Sequence, residues 1–170
     1  MEVKVMPLAE TEKETFITDI QAAFKKGYVD EYGETADEII PREDIVNSFN
    51  EEGAESYKIL CNGENVGGIV VKISSETNIN ELLLFYVKVG CHSKGIGLSA
   101  WQEIEKIYPE TKIWETVTPY FEKRNIHFYV NKCGFHIVEF YNLHNKMKGN
   151  QTEEIQGDEY FFRFSKSMKE

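Results

Sequence analysis

The chain has 170 residues, of which 41% are hydrophobic and 13% aromatic, enough to bury the core of one domain over residues 1–170. The formal net charge of −10 argues against nucleic acid and anionic membranes as partners. No apolar run is long enough to span a bilayer, and the acidic N-terminus lacks a signal-peptide pattern. The three cysteines have no paired spacing, which disfavours disulfides or a zinc site and favours a reducing, cytoplasmic compartment.

Periodicity and turn residues predict an α/β domain with the element order β-α-α-β-β-β-α-β-α-β-β. The predicted strands cover residues 1–8, 55–63, 66–73, 81–89, 111–118, 135–142 and 160–168, and the predicted helices cover 11–27, 41–53, 95–108 and 119–134. Thr11 and Glu14 have capping-box spacing, and Gly27 is expected to end the first helix. The apolar run over 81–89 is typical of a central strand that is covered on both faces.

The segment "CHSKGIGLSAW", residues 91–101, joins that strand to a helix and contains two glycines one residue apart. Helix N-termini present unpaired N–H groups that bind phosphate, and glycine lets the backbone approach the ligand closely. Lys94 adds a cation beside this loop. The alternative is a structural turn before a helix, since a lone GxG is frequent.

A dinucleotide site is a competing interpretation of the same loop. "GIGLSA" satisfies the G-x-G-x-x-A pattern, and Glu115 lies near the distance at which an acidic residue would meet the ribose. Two features disfavour it, because "CHSK" separates the strand from the first glycine and the preceding strands form a hairpin. A nicotinamide-dependent oxidoreductase is therefore a minor hypothesis.

Two blocks of the sequence together resemble the GCN5-related N-acetyltransferase (GNAT) superfamily. "YVKVGCHSKGIGLSAW", residues 86–101, is similar to its acetyl-CoA-binding segment, and "RNIHFYVNKCGF", residues 124–135, is similar to its second signature. The resemblance implies a GNAT fold, in which a mixed, mostly antiparallel sheet is splayed in the middle and flanked by helices. It also implies acetyl-CoA as the co-substrate.

The resemblance places the pyrophosphate on the glycine loop and the pantetheine arm along the central strand. The implied cofactor-binding residues are Val87, Lys88, Val89, His92, Ser93, Lys94, Gly95, Ile96, Gly97 and Asn125. A backbone N–H group near Val87 is the implied donor to the thioester oxygen. The chain departs from the family pattern at His92, where Gln or Arg is usual, at Glu122, where Asn is frequent, and at Asn125, where Ala is frequent.

The resemblance assigns two catalytic roles. Tyr129 matches the family's general acid, since a phenol stays protonated at neutral pH and can donate to a thiolate; its alternative is a core tyrosine on an apolar helix face. Glu81 corresponds in spacing to the general base of the histone-acetylating members, and its alternative is a solvated charge at the end of a strand. Glu115, on the neighbouring strand, is a second candidate for the general base. Cys91 and Cys133 are interpreted as packing residues, so direct attack is expected.

The expected function is acetyl transfer to a primary amine of a small molecule or peptide. The alternative is an acyl-CoA-binding regulatory module with little catalytic activity. An acidic stretch, residues 28–40, is either a solvated loop or an acceptor wall that would suit a cationic amine. The candidates to meet the cofactor's 3′-phosphate are Lys123, Arg124 and Lys132. The four histidines have no metal-ligand spacing, so no metal site is expected. The edge strands of this fold are compatible with a homodimer.

Overall fold

The structure, a computed structural model, describes residues 1–92, 95–147 and 160–168. Its strands are β1 Val3–Pro7, β2 Ala54–Cys61, β3 Glu64–Lys72, β4 Ile79–Val87, β5 Ile113–Pro119, β6 His136–Tyr141 and β7 Phe161–Ser167. Its helices are α1 Lys13–Tyr32, α2 Arg42–Asn50, α3 Ile96–Ile107 and α4 Lys123–His127, with a 3₁₀ turn at Glu10–Glu12 and a π-helical turn at Phe128–Lys132. The predicted order of strands and helices is confirmed. In the described residues, no helix combines the length and apolar character needed to cross a membrane.

The seven strands form one sheet in the order β1-β2-β3-β4-β5-β7-β6. Its pairs are antiparallel except β4 and β5, which run parallel and pair only from Ile79 to Leu82 against Ile113 to Thr116. Beyond Leu82 the two strands diverge, so the sheet is splayed in its middle. The predicted mixed, mostly antiparallel α/β sheet is confirmed, and it lacks the consecutive parallel units that a dinucleotide-binding fold requires.

The central strand β4 is buried on both faces, as its continuous apolar run predicts. Leu82 and Phe85 pack into the larger core with α3 and the indole rings of Trp101 and Trp114. Leu84 and Tyr86 face the other core, which α1 and α2 cover. The register against β3 shifts so that Leu83 has no direct partner, which is a β-bulge beside the splayed region.

The first helix is longer than predicted, because it continues through Gly27 and ends at Tyr32, before Gly33 with φ 94°. Gly27 is small for a packing reason instead. A Cβ atom there would lie 2.6 Å from Oε2 of Glu122, which is distant in sequence and invisible to local periodicity. The irregular acidic stretch is therefore confined to residues 33–40.

Two other local predictions are wrong. The capping interaction involves Ala9 and Glu12 rather than Thr11 and Glu14, since the Ala9 N–H donates to Glu12 Oε1 at 2.8 Å. The predicted helix over 119–134 begins only at Lys123, because Pro119 is the last residue of β5 and pairs with Phe161. Pairing with a distant strand overrides the preference of proline for the first helical turn.

Candidate active site

The divergence of β4 and β5 opens a cleft that holds two large cavities. One, of about 380 Å³, lies against the glycine loop and is called here the loop cavity. The other, of about 500 Å³, lies against α2 and the pairing ends of β4 and β5 and is called the acidic cavity. Phe85, Asn125 and Tyr129 line both cavities and form the junction between them.

The loop cavity has the features expected of a phosphate-binding cradle. Gly95 has φ 77°, a conformation that favours glycine, and directly precedes α3, whose first residue, Ile96, is buried. A Cβ atom on Gly97 would lie 3.3 Å from the Phe128 ring, so a larger side chain would crowd the cavity wall. The unpaired N–H groups of the first turn of α3 therefore face a space suited to an anionic group. Ser93 and Lys94 lie outside the described residues.

The backbone of β4 turns alternate N–H groups into the cleft. The Lys88 N–H donates to the Val66 carbonyl at 2.8 Å, on the β3 side. Because backbone groups alternate in direction along a strand, the N–H groups of Phe85 and Val87 face the gap where β5 has moved away. The side chains of Lys88 and Val89 do not line either cavity, and Val89 is exposed.

His92 lines the loop cavity with its ring hydrogen-bonded to the Val87 backbone. Burial, reinforced by the positive charge of Arg124, lowers the pKa of His92, and the hydrogen bond to Val87 opposes that shift. The imidazole is therefore neutral at physiological pH. It can orient groups in the cavity, but it adds no positive charge opposite a phosphate.

Tyr129 sits in the π-helical turn with its ring packed against Phe135 and Phe164, at centroid distances of 5.6 and 5.5 Å. Burial raises the pKa of Tyr129, Cys133 and Glu122 add to the shift, and a hydrogen bond with Thr116 opposes it. The phenol is therefore protonated throughout the physiological pH range. Tyr129 is both a core residue and a cleft residue, so the two sequence interpretations are compatible.

Thr116 lies where the β4–β5 pairing ends, and nothing in the sequence pointed to it. Its Oγ1 donates to the Leu82 carbonyl at 2.9 Å. The side chain of Thr116 also makes a hydrogen bond with Tyr129, and this bond opposes the rise in the pKa of the phenol. Thr116 thereby connects Tyr129 to the end of the β4–β5 pairing at Leu82.

We expect Thr116→Val to lower kcat about fivefold, the value of one lost hydrogen bond, with little change in the KM for acetyl-CoA. Valine keeps the shape of the side chain but removes the hydroxyl group that makes a hydrogen bond with Tyr129. Steady-state kinetics measure the effect, and Thr116→Ser should restore the rate. A serine variant as slow as the valine variant would contradict the positioning role.

Glu81 lines the acidic cavity one residue before the end of the β4–β5 pairing, directly opposite Glu115. Burial raises the pKa of Glu81, the charges of Glu51 and Glu115 add to the shift, and Lys72 opposes it. A carboxyl group with a raised pKa is a stronger base when ionised. Glu81 is therefore suited to accept a proton from a group in the cavity.

Of the two interpretations of the acidic stretch over residues 28–40, the acceptor wall does not apply to this cavity. Residues 28–40 contribute only Ile40 to its lining, whereas Glu51, the C-cap residue of α2, and Arg163 of β7 both line it. Arg163 is held by Glu115 at 3.4 Å and by Glu139 at 3.2 Å. These residues come from three distant parts of the chain, and no local motif marks them.

The two inner cysteines do not form a nucleophile site. Burial raises the pKa of the Cys133 thiol to about 12, so it is not ionised at neutral pH. Cys91 lines the loop cavity rather than the junction at Tyr129. Within residues 1–92, 95–147 and 160–168, no group of three or more metal-ligating side chains is arranged to hold an ion.

Comparison with known proteins matches the chain to the acetyltransferase (GNAT) family over residues 17–135. YrkN of Bacillus subtilis (strain 168), an uncharacterized protein, is 53% identical over 167 residues, covering 94% of this chain and 90% of that protein. Two solved structures share the fold. PaiA N-acetyltransferase from Thermoplasma acidophilum, in complex with coenzyme A, is 20% identical with a TM-score of 0.65, covering 98% of this chain and 99% of that one. Spermidine N-acetyltransferase from Vibrio cholerae, in complex with CoA and spermine, is 12% identical with a TM-score of 0.66, covering 97% and 95%.

The family match, on a splayed α/β sheet with a glycine loop after its central strand, defines the class of protein as an acyl-CoA-dependent acetyltransferase. The chain belongs to the GNAT family. The predicted family, the predicted GNAT fold and the dependence on acetyl-CoA are confirmed.

Proposed function

We propose that this protein transfers an acetyl group from acetyl-CoA to a primary amine by direct attack. The observation that carries the proposal is the meeting of two cavities at Tyr129, one on the glycine loop and one lined by carboxylates. When bound, acetyl-CoA supplies an acetyl group activated as a thioester. The loop cavity suits that donor, and the acidic cavity suits an amine.

Two groups at the junction would act on the developing charges. The N–H groups of Phe85 and Val87 face the gap, where they can donate to the thioester oxygen as it becomes negative. Tyr129 is protonated because of its raised pKa, so it can give a proton to the leaving thiolate. Among the described residues at this junction there is no ionised nucleophile, which supports direct attack over an acyl-enzyme.

Glu81 is the proposed general base, since a primary amine with a pKa of about 10.4 is mostly protonated at neutral pH. Glu81 lies four residues from Phe85 on β4, a span of about 13 Å at the usual rise of a strand. The carboxylate therefore acts through water in the cavity rather than by direct contact with the attacking nitrogen.

The charges of the acidic cavity favour a cationic acceptor. Glu51, Glu81 and Glu115 line it, and its one described basic lining residue, Arg163, is shared between Glu115 and Glu139. The V. cholerae relative of this fold binds spermine, which is a polycation. Both observations support a small-molecule or peptide amine that carries positive charge.

Ligand binding followed by turnover tests this function. A thermal-shift titration with acetyl-CoA, CoA, NAD and ATP should show stabilisation by the first two alone, about 2.7 kcal/mol at 100 times the dissociation constant. Thiol release would then be scored with butylamine, 1,4-diaminobutane, spermidine and a lysine peptide, and we expect the polycations to react faster than butylamine. Stabilisation by NAD, or by none of the four ligands, would overturn the proposal.

A second candidate is an acyl-CoA-binding module with little turnover, since Glu122, which is buried, stands where the family pattern frequently has Asn. Acetyl-CoA binding without thiol release for any amine would identify it. A single domain over residues 1–170, a homodimer and a cytoplasmic location stay predictions.

A further inference from the structure

A third cavity, of about 160 Å³, lies between α1 and α4 and is called here the α1–α4 chamber. It shares Phe85, Val87, His92 and Asn125 with the loop cavity, so the two spaces lie side by side along β4. A long, narrow ligand in the loop cavity would pass the mouth of this chamber.

Glu122 is the buried polar group of the chamber. Glu122 is 7% exposed, and its carboxyl group lies against Gly27 of α1, where a Cβ atom would be 2.6 Å from Oε2. The described residues provide it with no side-chain hydrogen bond. A buried carboxyl group without such a partner is costly, and the cost falls when a ligand supplies one.

The charged neighbours of Glu122 do not neutralise it. On α1, Lys26 pairs with Asp30 at 2.7 Å, and Glu31 pairs with Lys123 of α4 at 2.9 Å. The other charged or titratable described groups that line the chamber are Arg124 on α4, His92 on the loop after β4 and the Tyr86 phenol on β4, whose pKa is raised by burial.

The environment controls the charge of this carboxyl group. Burial raises the pKa of Glu122 to about 7, Asp30 adds to the shift, and Arg124 opposes it. The protonated and ionised forms are therefore both populated near neutral pH. Any ligand that prefers one form must shift the balance.

We propose that Glu122 binds the pantetheine arm of CoA with its carboxyl group protonated, so that cofactor binding takes up a proton from solvent. The inference rests on the proposed use of acetyl-CoA. The arm is uncharged and carries amide groups. A protonated carboxyl group donates to an amide carbonyl and accepts from an amide N–H, whereas a carboxylate only accepts. The arm also removes water from the chamber, which further disfavours the ionised form.

Proton uptake can be measured without catalysis, by calorimetric titration of CoA at pH 8 in buffers with different ionisation enthalpies. The wild-type protein should take up close to one proton more than Glu122→Gln, since glutamine is neutral and nearly the same shape. Above about pH 8, the wild-type dissociation constant should rise by close to tenfold per pH unit relative to that of the variant. The comparison cancels the titration of the CoA phosphates and of His92, which both proteins share.

Equal proton uptake by the two proteins would overturn the role of Glu122 and leave the proposed acetyl transfer intact. An absence of CoA binding at every pH would overturn both proposals. If the glutamine variant does not fold, the pH dependence of proton uptake by the wild-type protein tests the inference. Uptake of a proton that grows between pH 6.5 and pH 8 supports the inference, because phosphate titration alone would diminish over that range, and uptake that falls overturns it.

Discussion

Tyr129→Phe is expected to lower kcat about 100-fold while leaving CoA binding unchanged. The ring contacts with Phe135 and Phe164 survive the change, so the variant should fold. Only the hydroxyl is lost, and with it the proton offered to the leaving thiolate. Thiol-release kinetics at saturating acetyl-CoA and amine measure the effect, and the dissociation constant of CoA serves as the control.

The pH profile separates acid catalysis by Tyr129 from a structural contribution. The raised pKa of Tyr129 means that its protonated form persists to higher pH than that of an ordinary phenol. The wild-type kcat should therefore show no alkaline loss caused by Tyr129 below about pH 10. Wild-type kcat in the phenylalanine variant, at every pH tested, would rule out the acid role.

Glu81→Gln is expected to reduce kcat/KM for the amine about 100-fold, because the variant cannot accept a proton. The sign of the pH effect follows from the raised pKa. A base acts only when ionised, so the wild-type rate should fall as the pH drops through the pKa of Glu81, which lies above the ordinary value for a glutamate. This acid limb in the pH profile should be absent from the slow residual rate of the variant.

Glu115→Gln is the matched control for Glu81→Gln. The two carboxylates are direct neighbours across β4 and β5, but Glu115 pairs with Arg163 at 3.4 Å. We expect Glu115→Gln to alter the KM of the amine more than kcat, because it changes the charge of the cavity without removing the base. If Glu115→Gln abolishes the acid limb and Glu81→Gln does not, the base is Glu115.

Glu81 and Glu122 together would set opposite pH limits on the enzyme. Glu81 must be ionised to accept a proton, so its loss of charge limits the rate at low pH. Glu122 would need its proton to bind the cofactor arm, so its ionisation, with a pKa of about 7, weakens cofactor binding at high pH. The first limit appears in kcat and the second in the KM for acetyl-CoA, which keeps them separable.

Some parts of the site could be predicted because their signals are local. The glycine loop follows an apolar strand and opens an amphipathic helix, so local pattern alone indicates Gly95 and Gly97 as a phosphate cradle. Tyr129 belongs to an apolar face at helical spacing in the sequence, and the structure places it in the core and at the junction of the cavities. The order of strands and helices follows from the same hydrophobic periodicity.

The amino-acid sequence was therefore sufficient for the α/β class, the central strand and the position of the glycine loop before α3, because each depends on neighbours within one helix, strand or turn. What fills the cleft depends instead on tertiary packing. In the sequence, Gly27 looks like the glycine that follows the end of a helix. In the structure α1 continues through Gly27, and the carboxyl group of Glu122 packs against it. The carboxylates of the acidic cavity meet because α2 packs beside β4 and β5. Contacts between residues so far apart in the chain depend on how the helices and strands pack together, and hydrophobic periodicity within one element does not predict that packing.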